Sequence, residues 1–276
     1  MNADNLLTAM MQIYKYRNEV EEKEKVGLNG EIIKIRVKTD RAILAGHKIL
    51  LKEKIGQGSY SKVKRAFDLD RFQEVAVKII DRYKAPKDFQ EKFLPRELDV
   101  WARVKHKNII KMNKHLWNGE KIYMVLEFAN NGDMLTHIQN LKGPVSDSAC
   151  KLWIHQIFDA IKYLHERNII HRDLKLENIL LDSTNNIKIC DFGFSKVLCK
   201  KNKHGEICDL SETYCGSKAY ASPEILLGQP YDPRKADIWA IGVILYIFLT
   251  GNMPFKEDPC NQNILDQVTI HLKDFK

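Results

Sequence analysis

The stretch "HRDLKLEN", residues 171–178, decides how this chain is read. It gathers a histidine, an arginine, two acids, a lysine and an amide between two apolar runs, "NII" (168–170) and "ILL" (179–181). Functional side chains crowded on a loop with rigid flanks point to chemistry. Asp173 is followed five positions later by Asn178, and Asp191 stands 18 residues beyond Asp173 in "DFG". Two carboxylates and an amide oxygen suit a hard octahedral cation such as Mg²⁺, which takes few protein carboxylates and completes its shell with phosphate oxygens. Lys175 adds a positive charge nearby. A phosphate chain, metal ions and a carboxylate placed to accept a hydroxyl proton are the parts of phosphoryl transfer.

Upstream, "GQGSYSKV" (56–63) follows one strand pattern and precedes another. Gly56 and Gly58 would let backbone amides approach a polyanion closely, although a tight hairpin needs the same residues. The stretch is neither a dinucleotide fingerprint, because no helix follows, nor a G-x-x-x-x-G-K-[ST] loop. Lys78 ends "VAVK", 20 residues after Gly58. A mid-strand lysine commonly just faces solvent, but Glu97 on the next helix can pair with it and hold the ammonium over phosphates.

Around these motifs the pattern changes character along the chain. Residues 1–45 read as an extension, helical through Leu6, Leu7, Met10, Ile13 and Tyr14 or else weakly ordered. From residue 49, "ILLKEKIG", "SKVKRAFD" and "EVAVKIID" are short β-branched strands. A helix is expected over 88–104, with Phe93, Leu94, Leu98, Trp101 and Val104 on one side. "HLWNGEKIYMVLEF" reads as a hairpin turning on Asn118-Gly119. Beyond residue 133 helices dominate. Ser146 caps a helix over 147–167 with Ala149, Leu152, Trp153, Ile157, Ala160, Ile161 and Leu164 as its apolar stripe. "IWAIGVILYIFL" (238–249) is apolar all round and is expected at the centre of the second lobe. The fold class is therefore α+β, with a small, mostly β lobe over about 46–128 and a larger, mostly α lobe over about 129–276.

The totals narrow the function. The chain has 276 residues, 44% of them hydrophobic, ample for a sizeable core. The net charge of +8 is compatible with nucleic acid, a membrane surface or a phosphate-bearing ligand, and with a merely lysine-rich surface. No lysine run is interleaved with aromatics, which argues against nucleic acid. None of the 6 cysteines lies in a C-x-x-C pair, so a zinc site is not expected. "MNADNLLTAM" does not resemble a signal peptide, and a 12-residue apolar run is too short to span a bilayer; a cytoplasmic protein with free thiols is the expectation.

Four motifs in order carry a family resemblance: G-x-G with Val63, V-A-V-K, H-R-D-L-x-x-x-N and D-F-G. Together they resemble the eukaryotic protein kinases from about residue 49 onward. "KIIDRYKAPKDFQEKFLPREL", "CDFGFSK" and "TYCGSKAYASPE" are similar to the testis-specific serine/threonine kinases, near the calmodulin-dependent group. The resemblance implies ATP and Mg²⁺ as cofactors and protein serine or threonine hydroxyls as acceptors, with basic residues upstream of the acceptor favoured by Glu177 and Asp133. It implies that Gly56, Gly58 and Val63 cover ATP. Lys78 would contact the α- and β-phosphates and pair with Glu97. Ala76, Val63 and Leu180 would enclose adenine, Glu127, Phe128 and Ala129 would form the hinge behind gatekeeper Leu126, and Asp133 would reach the ribose. Asp173 is implied as catalytic base, Lys175 as stabiliser of the transferred group, and Asn178 and Asp191 as Mg²⁺ ligands. Arg172 would pair with a phosphate on Thr213, placed there by an upstream kinase; Ser211 and Tyr214 are weaker candidates. Ser217 matches the residue that touches Asp173 and substrate, and His171 is expected to pack toward Phe192.

The pattern also departs from the family. Ser61 replaces the third glycine, and "SPE" (222–224) replaces A-P-E. Glu224 is expected to be a buried acid whose usual arginine partner is absent, because no arginine follows Arg234. The last helices of the larger lobe are expected to be missing. The alternatives are then a domain completed by a partner, or an ATP-binding but inactive kinase-like scaffold.

Overall fold

The computed structural model describes residues 3–26, 32–141, 143–198, 210–211, 217–256, 258 and 260–274. The chain divides into two units: Met1–Pro86 with Met112–Phe128, and Lys87–Lys111 with Ala129–Lys276. The first is built on sheet and the second on helices, an α+β arrangement.

The first unit contains α1 (Ala3–Tyr16), the strands β1 (Val20–Val26) and β2 (Ile32–Lys38), and α2 (Asp40–Gly46). After these come β3 (Ile49–Gln57), β4 (Ser61–Asp68), β5 (Gln73–Asp81), β6 (Met112–Asn118) and β7 (Lys121–Glu127). β1 and β2 form a two-stranded ribbon, and the other five form an antiparallel sheet in the order β3-β4-β5-β7-β6. Paired residues on neighbouring strands share a face. Val75, Val77, Ile79, Tyr123 and Val125 lie on one face and close a core with Ile49, Leu51, Ala66 and Leu44 of α2. Lys78 lies on the opposite face, paired with Val63 and Met124, with Val63 in turn paired with Gly56. Ala76, two residues away, shares that face and stands opposite Leu126.

Residues ahead of the sheet are packed into it. Ala9 and Ile13 of α1 join Ala45, Leu50 and Leu69 in a second buried cluster. Thr39 caps α2 by accepting from the Ala42 amide at 3.1 Å. Asp40 accepts from Lys121 Nζ at 2.7 Å and Tyr123 Oη at 2.9 Å, and pairs with Lys62 at 2.6 Å. Burial pushes the Asp40 carboxyl up, but hydrogen bonds and charge from Lys121 and Lys62 outweigh it and hold it at about 2. A depressed carboxyl contributes stability above its unfolded value, which is lost as pH falls through the folded one. The melting-temperature gap between the protein and Asp40→Asn is therefore expected to be full above pH 3.8 and to close as pH falls to about 2. A gap that stays constant across that window would remove Asp40 from the acid response.

The hairpin between β6 and β7 turns one residue later than expected. Gly119 and Glu120 form the two-residue loop, and Gly119 takes φ +56°. Positive φ at the first central position suits a type II′ turn, so the glycine rather than the asparagine sets the register.

The second unit begins with a π-helical turn, Phe89–Phe93, running into α3 (Leu94–Arg103). The single helix expected over 88–104 thus changes winding ahead of Pro95, whose missing N–H removes one regular i→i−4 bond. Then come α4 (Met134–Asn140), α5 (Asp147–Glu166), β8 (Ile169–Ile170), β9 (Ile179–Leu181), β10 (Ile187–Ile189), β11 (Lys196–Val197), α6 (Pro223–Leu226), α7 (Pro233–Thr250) and α8 (Asn261–Asp274). Ser146 accepts from the Ala149 amide and caps α5, whose stripe buries Trp153, Ile157, Ala160, Ile161 and Leu164. Leu152, expected in that stripe, is 47% exposed because its position falls on the side of α5 opposite Ile157, Ile161 and Leu164, and Cys150 and Gln156 are buried instead. Trp153 meets Phe248 of α7 with ring centroids 5.7 Å apart. α7 is not enclosed on all sides: Ile241, Ile244, Ile247 and Phe248 are buried, whereas Ile238 and Leu249 are exposed. No helix among the described residues is long and apolar enough to cross a membrane.

Candidate active site

The loop "HRDLKLEN" is positioned by the short strands at its ends. β8 pairs antiparallel with β11, and β9 pairs with β10, so the chain enters and leaves the loop through sheet ladders. Gln156 of α5 anchors the second ladder: its Oε1 accepts from the Ile187 amide at 2.9 Å and its Nε2 donates to Asn186 Oδ1 at 2.7 Å. A 3₁₀ turn, Leu176–Asn178, closes the loop and turns Asn178 back toward Asp173.

Two non-glycine residues here are left-handed, Arg172 at φ +65° and Asp191 at φ +64°. Such conformations persist where the surroundings over-determine them. For Arg172 the constraint is Asp237 of α7, which is 1% exposed. Its Oδ2 accepts from the His171 amide at 3.0 Å and its Oδ1 from the Arg172 amide at 2.9 Å, while His165 Nε2 lies 2.8 Å from Oδ2. Arg172 Nε donates to the Phe194 carbonyl at 2.8 Å. For Asp191, the Gly193 amide donates to Oδ1 at 3.2 Å. A Cβ on Gly193 would sit 3.3 Å from that oxygen, which favours glycine at the third position of "DFG".

His171 joins the two halves of the site. Its Nδ1 accepts from the Asp173 amide at 3.3 Å, leaving Nε2 to donate to the Cys190 carbonyl at 3.1 Å. These bonds select the tautomer. Phe192, fully buried, packs against His171 at 5.4 Å and edge-on against Trp101 of α3 at 4.9 Å. Glu97, one turn before Trp101 on α3, is 1% exposed. α3, "DFG" and the loop are thus tied together within one unit.

Asp173 stands at the centre, 7% exposed. Its Oδ2 accepts from Asn178 Nδ2 at 2.9 Å and pairs with Lys175 Nζ at 3.0 Å. Asn178 Nδ2 also donates to the Asp173 carbonyl at 2.8 Å, so both amide hydrogens are used and Asn178 Oδ1 is left as an acceptor. Among the described residues Asp173 Oδ1 carries no hydrogen bond. Ser217 lines a cavity of about 30 Å³ with Arg172, Asp173 and Asp237.

The remaining expected residues are distributed as follows. Lys78, Ala76, Val63, Gly56, Gly58 and Glu127 belong to the first unit; Glu97, Ala129, Asp133, Leu180 and Asp191 belong to the second. A Cβ on Gly58 would lie 2.8 Å from Ser61 Oγ and would have to turn that hydroxyl aside, and the Gly58 amide donates to the Ser61 carbonyl at 2.8 Å across the hairpin. Asp133 caps α4: its carboxylate accepts from the Thr136 amide at 2.8 Å and the Thr136 hydroxyl at 3.0 Å. Ser211 is buried, with Lys196 Nζ 3.2 Å from its Oγ. Thr213, Tyr214 and residues 200–206 lie outside the described residues. Glu224 is not the buried acid expected: it is half-exposed, because it lines an open hollow of about 490 Å³ with Trp239, Tyr246 and Phe255. Sequence reading also passed over Asp237 as a structural centre. Its only local signal is an acid inside an otherwise apolar helical run.

The protein kinase domain family matches residues 49–275. Testis-specific serine/threonine-protein kinase 1 of Mus musculus is 46% identical over 219 residues, covering 79% of this chain and 59% of that protein. Testis-specific serine/threonine-protein kinase 3 of Mus musculus is 45% identical over 204 residues, 74% of each chain. CBL-interacting protein kinase 11 of Oryza sativa subsp. japonica is 38% identical over 217 residues, 79% of this chain and 42% of that protein. The chain therefore spans 59% of the length of the first of these relatives.

Proposed function

The chain belongs to the protein kinase family, and from that membership we propose that it transfers the γ-phosphoryl group of ATP to serine and threonine hydroxyls of proteins. The observation that carries this reading is the state of Asp173: buried, with Oδ2 held by Asn178 and Lys175 and Oδ1 open among the described residues. An acceptor hydroxyl donating to Oδ1 would be aligned for attack as its proton is taken up. Positioning contributes more than proton removal, because the transition state is loose. Lys175 would meet the charge of the transferred group, and Lys78 the α- and β-phosphates. Val63 and Ala76, on the Lys78 face of the sheet, would meet adenine.

The residues present fit Mg²⁺. Asn178 offers an oriented amide oxygen and Asp191 a carboxylate, a sparse set suited to a cation that keeps phosphate oxygens and waters. Held by Asn178 and Asp191, Mg²⁺ would supply positive charge to offset the charge of the phosphate oxygens. Regulation is proposed through phosphate on Thr213 meeting Arg172.

The test is transfer from γ-labelled ATP to a serine peptide with basic residues upstream, with and without Mg²⁺. Magnesium-dependent labelling is expected, and a folded protein that labels nothing would overturn the reading. Asn178→Ala should raise the Mg²⁺ concentration for half-maximal rate by at least about tenfold, and an unchanged Mg²⁺ curve would remove Asn178 from the metal.

A further inference from the structure

Resting on the proposed ATP reading, we infer that Gln57 is a positioning residue for the nucleotide: it covers carbonyl oxygens of the glycine loop, so that the loop meets phosphate with its amides. The loop joins β3 to β4, with Gly56 opposite Val63 and Gln57 opposite Lys62. Val63 in turn stands opposite Lys78, so Gly56, Val63 and Lys78 share one face. Gln57, one position further along β3, leaves the sheet on the other face.

From there the side chain folds over the turn. Gln57 Nε2 donates to the Gly58 carbonyl at 3.0 Å and to the Ser61 carbonyl at 3.1 Å, which uses both amide hydrogens. The Ser61 carbonyl also accepts from the Gly58 amide at 2.8 Å, and the Tyr60 carbonyl accepts from the Asp81 amide at 3.0 Å. At the exposed tip, the Ser59 amide and hydroxyl make no hydrogen bond among the described residues. The carbonyls of Gly58, Tyr60 and Ser61 are therefore held by donors, while donors stand open at Ser59.

This asymmetry matters to a polyanion. A carbonyl oxygen and a phosphate oxygen carry the same sign of charge, whereas backbone N–H groups gathered in a turn attract anions. Gln57 offsets two carbonyl dipoles that would otherwise oppose phosphate. It also ties Gly58 to Ser61 across the turn, so less of the loop has to be ordered when phosphate binds. Because the side chain starts from the face opposite Lys78, it acts through the loop backbone and not by touching the nucleotide.

The experiment is calorimetric titration of the full chain and of Gln57→Met with ATP, ADP and adenosine, beside KM for ATP and kcat. Methionine keeps the length of glutamine and removes both N–H donors. Gln57→Met should weaken ATP binding and raise KM for ATP about fivefold or more, with kcat unchanged. ADP should be affected less and adenosine not at all, because adenosine brings no phosphate to the loop. Gln57→Glu, which sets a carboxylate over the same carbonyls, should weaken ATP further. Gln57 is exposed, so the ligand-free melting temperature should not move; if Gln57→Met melts early, Gln57→Glu carries the test. Equal losses for ATP and adenosine would make Gln57 a structural residue only and overturn the proposal. ATP binding indifferent to both substitutions overturns it while leaving the kinase reading intact, and absence of ATP binding by the unchanged protein overturns both.

Discussion

Asp173→Asn is expected to lower phosphate transfer by about 10²–10⁴-fold while leaving the melting temperature close to that of the unchanged protein. The substitution preserves shape, and the amide can still accept from Asn178 Nδ2, but it cannot take up a proton and it removes the charge that holds Lys175 at 3.0 Å. Both losses fall on the transferring group rather than on ATP binding, so ATP should still raise the melting temperature. Labelling at the unchanged rate would show that Asp173 is not the acceptor-aligning residue. Loss of ATP stabilisation together with transfer would mean that the charge organises the nucleotide site instead.

Asp237→Ala is the second large effect, and it acts on folding. Asp237 touches neither Asn178 nor Lys175, yet its carboxylate accepts from the buried His171 amide and the part-buried Arg172 amide, and lies 2.8 Å from His165. Truncation leaves those two donors without a partner at a site 1% exposed. Each such donor costs about 1–3 kcal/mol, so the pair amounts to roughly 2–6 kcal/mol. That is a large part of an ordinary domain stability of about 5–15 kcal/mol. The left-handed Arg172 would also lose its main constraint. Thermal unfolding should show a melting temperature lower by at least about 5 °C, with transfer lost even where the variant is still folded. A variant with native stability and full activity would remove Asp237 as the anchor of the loop.

The two residues differ in how they could be found. Asp173 is legible because its chemistry is local: the spacing to Asn178 within one loop already brings a carboxylate and an amide together, and the structure adds only the direction of the hydrogen bonds. Asp237 is 66 and 65 residues from His171 and Arg172, and nothing in "ADIWAIG" says which amides it accepts. The same limit explains Glu224 and the helix α7. An apolar run shows that a segment prefers burial, but how much of it is covered depends on its neighbours, and Ile238 and Leu249 are left exposed.

Residues 1–45 show the other side of that limit. The helical spacing of Leu7, Met10, Ile13 and Tyr14 was visible, but the side of the helix that would be buried was not. Ile13 packs with Ala9 on the sheet while Met10 and Tyr14 stay in water. The fold class, the strand–helix order from residue 49 onward and the phosphoryl-transfer motifs were legible in the sequence alone, because propensity, periodicity and short-range spacing encode them; the β1–β2 ribbon and α2 ahead of them were not. Tertiary structure decided which carboxylate locks the catalytic loop, which face of α1 is buried, and that Lys54 and Lys64 stand opposite each other. Those facts depend on residues far apart in sequence meeting in space, where burial and pairing set the energy.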